Sequence, residues 1–327
     1  MKGLQFLTKR RIEAAIFLIV FLGFFGFVGM KMGFPNMLNT LMQTSYALLL
    51  ETVFYIMAIT VLSGALGNLL VEFGVVRLIE VILRPLMKPL YNLPGVAALG
   101  GIMTFLSDNP AIISLSKDAN FARYFKKYQL ISLTNFGTAF GMGLVVIIFM
   151  MGKGFLNAAL VGLLGAVIGS IVSTRLMQRF ILKSRPDLDA EISPEEGDEQ
   201  QISFKTEGNV FLRLLNSVLD GGKSGVEIGL AIIPGVLIIS TLVMMLTFGM
   251  PEGGYTGGAY EGIALLPYLA SKINFIFEWL FGFTNPELVA FPITALGAVG
   301  AALGLIPRFV QENIINGTST TSGLLLT

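Results

Sequence analysis

Apolar positions along this chain come in blocks rather than alternating. The blocks Glu13 to Gly29, Ser45 to Leu70, Leu130 to Met151, Phe155 to Leu182 and Val226 to Phe248 approach or exceed the ~20 residues a helix needs to cross a bilayer. Two intervening stretches are mixed. Val71 to Tyr91 sets Arg77, Arg84 and Lys88 among Val, Leu and Ile, with Pro85, Pro89 and Pro94 as punctuation, the pattern of a helix lying in the membrane interface. Ile263 to Phe283 has the same character, and its Trp279 suits a membrane boundary. The pattern predicts an all-α polytopic membrane protein.

One interruption stands out. "TFLSDNPAIISLSKD", residues 104 to 118, follows a glycine-rich apolar run. Backbone without helical hydrogen bonds survives at membrane depth only when buried in protein or lining a wet cavity. A re-entrant hairpin meets that condition, with one arm from Pro94 to Phe105, a turn at Ser107, Asp108 and Asn109, and a second arm from Pro110. Proline fits a first helical position, where its missing N–H is not needed, and Asp108 or Asn109 can cap the arm. A plain surface turn with Asp108 as a cap is the other reading, but it leaves the matching break in the second half unexplained.

That match is part of a repeat. Glu51 opens "ETVFYIMAITVLSGALGNLL" and Glu227 opens "EIGLAIIPGVLIISTLVMML". In each half a Pro-punctuated amphipathic segment follows, then a Gly- and Pro-broken apolar stretch ("LPGVAALGGIMTFLSDNP"; "NPELVAFPITALGAVGAALG"). A polar cluster then opens a helix, "ISLTNFGTAFGMG" from Ile131 and "IINGTSTTSG" from Ile314. The order of parts carries the repeat more than residue identity does.

Charge changes the picture by giving direction. Lys2, Lys9, Arg10 and Arg11, the segment 71–91, and Arg175, Arg179, Lys183 and Arg185 all fall on one side, which the positive-inside rule makes cytoplasmic. The first half is then entered from outside and the second from inside, so the repeats are inverted. Inverted repeats with interrupted helices mark secondary transporters. Residues 184 to 208 carry eight acids against Arg185 and Lys205 and predict a flexible cytoplasmic linker, read as a solvated tether rather than a docking site. Expected boundaries are therefore 1–43 for an N-terminal span and loop, 44–183 for the first repeat, 184–208 for the linker and 209–327 for the second repeat. The second repeat stops soon after its polar cluster, so the repeat logic expects the native chain to continue past Thr327.

Composition then removes functions. The chain is 54% hydrophobic and 13% charged, with neither Cys nor His, and its mean hydropathy is +0.76. Disulfides, thiolate or imidazole metal sites and Cys or His catalysis are excluded. No phosphate loop, nucleic-acid motif or catalytic constellation is visible. Glu51 and Glu227, with Asp108, are candidates for ion or proton coupling, because an ionised side chain at a helix centre costs on the order of 2.5–3.5 kcal/mol; an interfacial position at a helix start is the competing reading for both glutamates. Asn135, Thr138, Asn316, Thr318, Ser319, Thr320 and Thr321 offer neutral donors and acceptors for a polar substrate, or hydrogen bonds between helices.

"VVRLIEVILRPLMKPLYNLPGVAALGG", "SDNPAIISLSKD", "LNSVLDGGKSGVEIGLAIIPGVLIISTLV" and "NGTSTTSG" resemble the nucleoside-recognition, or Gate, domain family. That family includes spore maturation proteins, and its domain also occurs in concentrative nucleoside transporters and in the membrane part of ferrous-iron permeases. The resemblance covers roughly residues 45 to 150 and 210 to 327. It implies that hairpin tips and unwound helix starts form a central site from Ser107, Asp108, Asn109, Asn135, Thr138, Asn316, Thr318, Ser319 and Thr321. A homo-oligomer is implied by the same likeness. The chain departs from its relatives in having no Glu-Thr-Pro hairpin sequence and no iron-permease cysteines.

The expected function is secondary transport of a small polar organic solute, of nucleoside-like chemistry, in the inner (cytoplasmic) membrane with the N-terminus cytoplasmic. Na⁺ or H⁺ would be the coupling ion, no other cofactor is expected, and the partners are the solute and the bilayer rather than nucleic acid. The alternative is a non-transporting membrane adaptor that binds a protein through the acidic linker or the loop "MPEGGYTGGAYEGI". An intramembrane hydrolase is not supported by any carboxylate-pair motif.

Overall fold

The structure is a computed structural model that describes residues 9–191, 209–283, 285–296 and 298–315. Among these residues five helical segments are long and apolar enough to span a membrane: Lys9–Met32, Phe34–Glu72, Lys127–Gly152, Leu156–Ser184 and Val210–Thr247. The chain is an all-α membrane protein.

Helices follow one another as α1 (Lys9–Met32), α2 (Phe34–Ala47), α3 (Phe54–Glu72), α4 (Val75–Leu86), α5 (Ala97–Leu106), α6 (Pro110–Lys117) and α7 (Ala119–Ala122). Next come α8 (Lys127–Ser132), α9 (Asn135–Phe140), α10 (Gly143–Gly152) and α11 (Leu156–Ser184). The second half supplies α12 (Val210–Ala231), α13 (Thr241–Thr247), α14 (Leu265–Lys272), α15 (Asn274–Phe281), α16 (Ala290–Ala295) and α17 (Val299–Gln311). Wider π-helical turns at Leu48–Val53 and Gly235–Ser240 join α2 to α3 and α12 to α13. A third, Met87–Tyr91, extends α4.

Two of the expected spans are longer than their apolar blocks. The block from Ser45 begins as a helix at Phe34, because Pro35 sits in the first turn and the polar positions Thr40 and Thr44 turn inward and are buried. The block from Val226 begins at Val210, where Asn209 accepts the N–H of Phe211 as a cap. Its early polar residues are helical because Ser217, Gly221, Gly225 and Gly229 form one buried stripe at a spacing of four.

That stripe packs on α3, running antiparallel. A Cβ on Gly225 would overlap the Thr60 carbonyl, and one on Gly221 would sit 2.8 Å from the Ala65 Cα. With the backbones this close, the Thr60 hydroxyl donates to the Gly225 carbonyl at 2.7 Å. The Asn68 amide donates to the Ser217 carbonyl at 3.0 Å, and Arg213 pairs with Glu72 at 2.7 Å. The pairing continues past the π-helical turns, where the hydroxyls of Ser45 and Thr241 lie 3.1 Å apart.

The rest of each half hangs on its own long helix. In the first half α4, α5 and α10 pack on α3; in the second, α17 lies along the π-helical turn before α13, and α14 and α16 contact α13. The central core joins Leu48, Ile56, Phe149, Val236, Phe291 and Phe309. A second core under α5 and α6 is built from Ala97, Ile112, Phe121, Phe125 and Phe136.

Two parts outside the spans are firmly tied. The first linker residues are held: Lys126 pairs with Asp189 at 2.9 Å and the Lys127 N–H reaches the Ala190 carbonyl at 3.1 Å. Residues 184–191 therefore do not form the expected flexible tether, and residues 192–208 lie outside the described residues. Between α13 and α14, the loop closes around Glu261, which is 4% exposed. Its carboxylate accepts the N–H groups of Thr256, Gly257 and Gly258 at 2.9–3.1 Å and the Thr256 hydroxyl at 2.5 Å. Burial pushes the Glu261 pKa up, but these donors outweigh it and hold the carboxyl below the usual glutamate range. The loop is fastened to α2 by Tyr260 N–H to Thr44 (2.9 Å) and by Asn36 to the Tyr255 carbonyl (3.2 Å).

Two expectations follow. Gly225→Val should separate α3 from α12 and cost about 1–3 kcal/mol or more, seen as a lower Tm in detergent, whereas Lys223→Ala, on the exposed face, should leave Tm unchanged. Because the Glu261 pKa is depressed on folding, its stabilisation is complete above the unfolded value of ~4.3 and is lost as pH falls through the lower folded value. Wild type should therefore exceed Glu261→Gln in Tm at pH 7, and that excess should shrink as the pH is lowered below ~4.3.

Candidate functional site

The interruption at Ser107 to Pro110 folds as a helix–turn–helix: α5 and α6 pack against each other, with Ser107, Asp108 and Asn109 between them. Asp108 is half-buried. Its carboxylate accepts the Asn109 N–H at 2.7 Å, one residue ahead of α6. Asn109 takes the N-cap position without a side-chain cap bond, so its amide is free to point elsewhere. It meets Gly141, where a Cβ would collide with the Asn109 Oδ1.

The segment facing this tip is itself broken. Gly141 ends α9, and Met142 takes a left-handed conformation, φ 58°. The Met142 N–H donates to the Ser107 carbonyl at 3.1 Å, so a backbone group released by one interruption is satisfied by the other. Gly143 lies against the Phe105 ring with no room for a Cβ. Glycine at 141 and 143 is what lets the tip reach the break.

A second helix pair, α16 and α17, packs together in the second half. It turns through Leu296 and Ala298, and Gly300 through Ile306 on its second arm are buried. That arm is pinned along the π-helical turn, with the Ser240 hydroxyl donating to the Ala301 carbonyl at 2.8 Å. The described residues of its turn are apolar, unlike Ser107–Asp108–Asn109. The first residue of α17, Val299, shares a cavity of about 50 Å³ with Phe105, Thr138, Gly141, Gly143 and Val146. That is room for a few waters or one ion.

The expected site residues separate into groups. The Ser107 carbonyl and the Asn109 side chain meet the break, Asp108 stands between them with its carboxylate on the Asn109 N–H, and Thr138 lines the cavity. Asn135 turns away, donating to the Ser132 carbonyl at 2.8 Å and to Met177 Sδ at 3.0 Å. Glu51 and Glu227 are exposed and do not join Asp108. Glu227 stands two residues from both Gly225 and Gly229, about 200° around the helix, so packing the glycine stripe inward turns it out. Asn316, Thr318, Ser319, Thr320 and Thr321 lie outside the described residues.

A polar network went unrecognised in the sequence. Ser170, Thr174 and Gln178 recur every four residues on α11 and are buried. The Tyr91 hydroxyl is 2.9 Å from Ser170. The Gln178 amide donates to the Tyr91 carbonyl and the Ser132 hydroxyl, both at 3.1 Å, and accepts from Asn92 at 3.1 Å. The Arg175 guanidinium donates to the Leu90 and Pro89 carbonyls. These bonds tie α11 to residues 89–92, ahead of α5, and to Ser132 of α8, and the spacing of four was the available signal.

The convergence of the two helix pairs can be checked chemically, because the chain has no native cysteine. Phe105→Cys combined with Val299→Cys should be bridged by a short bifunctional thiol reagent. Phe105→Cys combined with Tyr268→Cys should not, as read by the mass of the product.

Comparison with known proteins adds little chemistry. No family model matches the chain, and no solved structure matches it. An uncharacterised protein of Alkalihalophilus pseudofirmus is 31% identical over 113 residues, covering 32% of this chain and 24% of that protein. The chain thus spans about a quarter of the length of the curated relative it matches.

Proposed function

We propose that this protein is a secondary transporter of a small polar organic solute, nucleoside-like in chemistry, coupled to Na⁺ or H⁺. The observation that carries the reading is the meeting of α5, through Phe105, α17, through Val299, and the break at Gly141 and Gly143 at one small cavity. Interrupted helices converging from two inverted halves are how secondary transporters build a substrate site without exposing unpaired backbone to lipid. The antiparallel pairing of the segments 34–72 and 210–247, each with one π-helical turn, supports the inverted-repeat part of the reading, in which α5–α6 and α16–α17 are re-entrant hairpins.

The cavity is too small for a nucleoside-sized solute, so in this reading the described conformation is a closed one. Opening requires the Asn109–Gly141 and Phe105–Gly143 contacts to part. The Ser107, Asp108 and Asn109 side chains and Thr138 then become the polar lining, with neutral donors and acceptors for hydroxyl or amide groups and Asp108 as the carboxylate that answers to the coupling ion. The basic ends of the helices support a cytoplasmic N-terminus in an inner (cytoplasmic) membrane, by the positive-inside rule.

The test is accumulation of labelled uridine and adenosine by proteoliposomes, with Na⁺ and proton gradients imposed separately. Gradient-dependent accumulation is expected for wild type, and its loss in folded Asp108→Asn. Undiminished accumulation in that variant would remove Asp108 from the pathway. No gradient-driven uptake by folded wild type, for these or other polar solutes, would overturn the transporter reading.

A further inference from the structure

A larger space lies beside the candidate site. A groove of about 410 Å³ runs between α4, the arm α5 and the broken segment α9–α10, with Leu83, Tyr91, Ala98, Gly101 and Phe140 in its walls. Tyr91 brings the one hydroxyl among its lining side chains, and that hydroxyl is already engaged with Ser170 at 2.9 Å. A polar solute would find no free partner there and would lose its bonds to water. Hydrocarbon loses nothing by entering.

The helix that closes the groove has three faces. Val76, Ile79 and Leu83 line the space. Leu78, Val81 and Ile82 point outward and are about 60% exposed (64%, 60% and 62%), a surface for lipid tails. Arg77, Glu80, Arg84 and Lys88 follow at spacings of three and four along a third face. Glu80 binds Arg84 at 2.6 Å, so the stripe keeps a net positive charge. A basic stripe bordering an apolar slot complements a molecule with an anionic head and a hydrocarbon tail.

We propose that this groove is a binding site for one acyl chain of an anionic phospholipid, with the headgroup held at the Arg77–Lys88 edge. The chain would wedge between α4 and α5, the arm that carries Ser107, Asp108 and Asn109. Lipid occupancy then sets how far that arm can move. The site does not depend on which solute the protein carries, or on whether it carries one.

The experiment uses the full chain reconstituted in mixed vesicles. Leu83→Trp in a Trp279→Phe background gives a single tryptophan in the groove, since the native chain has one. Phosphatidylglycerol and phosphatidylcholine with dibrominated chains are the probes. Quenching should be saturable and favour phosphatidylglycerol. Arg77→Gln and Lys88→Gln should each lower that preference by about fivefold. Ala98→Phe, which fills the slot, should abolish saturable quenching by both lipids. Equal quenching by the two lipids in wild-type background, or a preference unchanged by both basic-residue variants, would overturn the anionic assignment. Should Ala98→Phe fail to fold, native mass spectrometry of the wild-type protein decides: retained phosphatidylglycerol supports the site, and its absence or an equal load of phosphatidylcholine overturns it.

Discussion

Backbone contact between α3 and α12 is the constraint on which the other packing rests. Helices in lipid gain nothing from hiding apolar surface from one another, since the surrounding tails are equally apolar; close van der Waals packing and interhelical hydrogen bonds must hold them. Gly64, Gly221 and Gly225 make that packing possible by bringing backbone against backbone where a Cβ would not fit. Thr60 and Asn68 then reach carbonyls on the partner helix. The seam works over a long distance because Arg213 and Glu72 close one end and Ser45 and Thr241 meet far along it.

Once the long helices form one antiparallel unit, each half can present its own helix pair to the same interior point. The two pairs are not alike. The first turn is Ser-Asp-Asn against a glycine-rich break, with little side-chain bulk holding it. The second arm is buried along its length and bonded to Ser240. If one half moves against the other, the chemistry of these contacts favours motion at the first pair, with α17 as the fixed wall. The α11 network under Tyr91, Asn92 and Ser132 would then mark the limit of that motion.

How much of this was legible in sequence depended on whether the deciding partner was near in the chain. Spans centred on uniform apolar runs were readable, because burial in lipid is a property of composition. The starts of α2 and α12 were not. Thr40, Thr44, Ser217 and the glycines look like helix-weakening residues until a neighbouring helix accepts them. Pro110 and Asp108 announced the first turn through local backbone chemistry, and Thr138 followed from its place near the break. Asn135 was read as a ligand because its partners, Ser132 and Met177, include one far away on α11. Glu51 and Glu227 were paired by repeat position, yet helical phase relative to the glycine stripe decides which way Glu227 points. Glu261 had no signal except its setting in a loop rich in glycine, whose N–H groups can crowd around a carboxylate without side chains in the way.

The unbroken length of the central pair has a mechanical consequence. The segment 34–72 contains 39 residues, about 58 Å of helix at 1.5 Å per residue, whereas the hydrocarbon layer is ~30 Å thick and the whole bilayer ~40–45 Å. Two such helices locked together cannot stand along the membrane normal without projecting into water. Their polar ends, Asn36, Asn39 and Gln43 on one and Asn209, Arg213 and Asp220 on the other, suit projection, and tilt takes up what remains. Bilayer thickness therefore acts directly on the inclination of this pair, and through it on the spacing of everything attached to either helix.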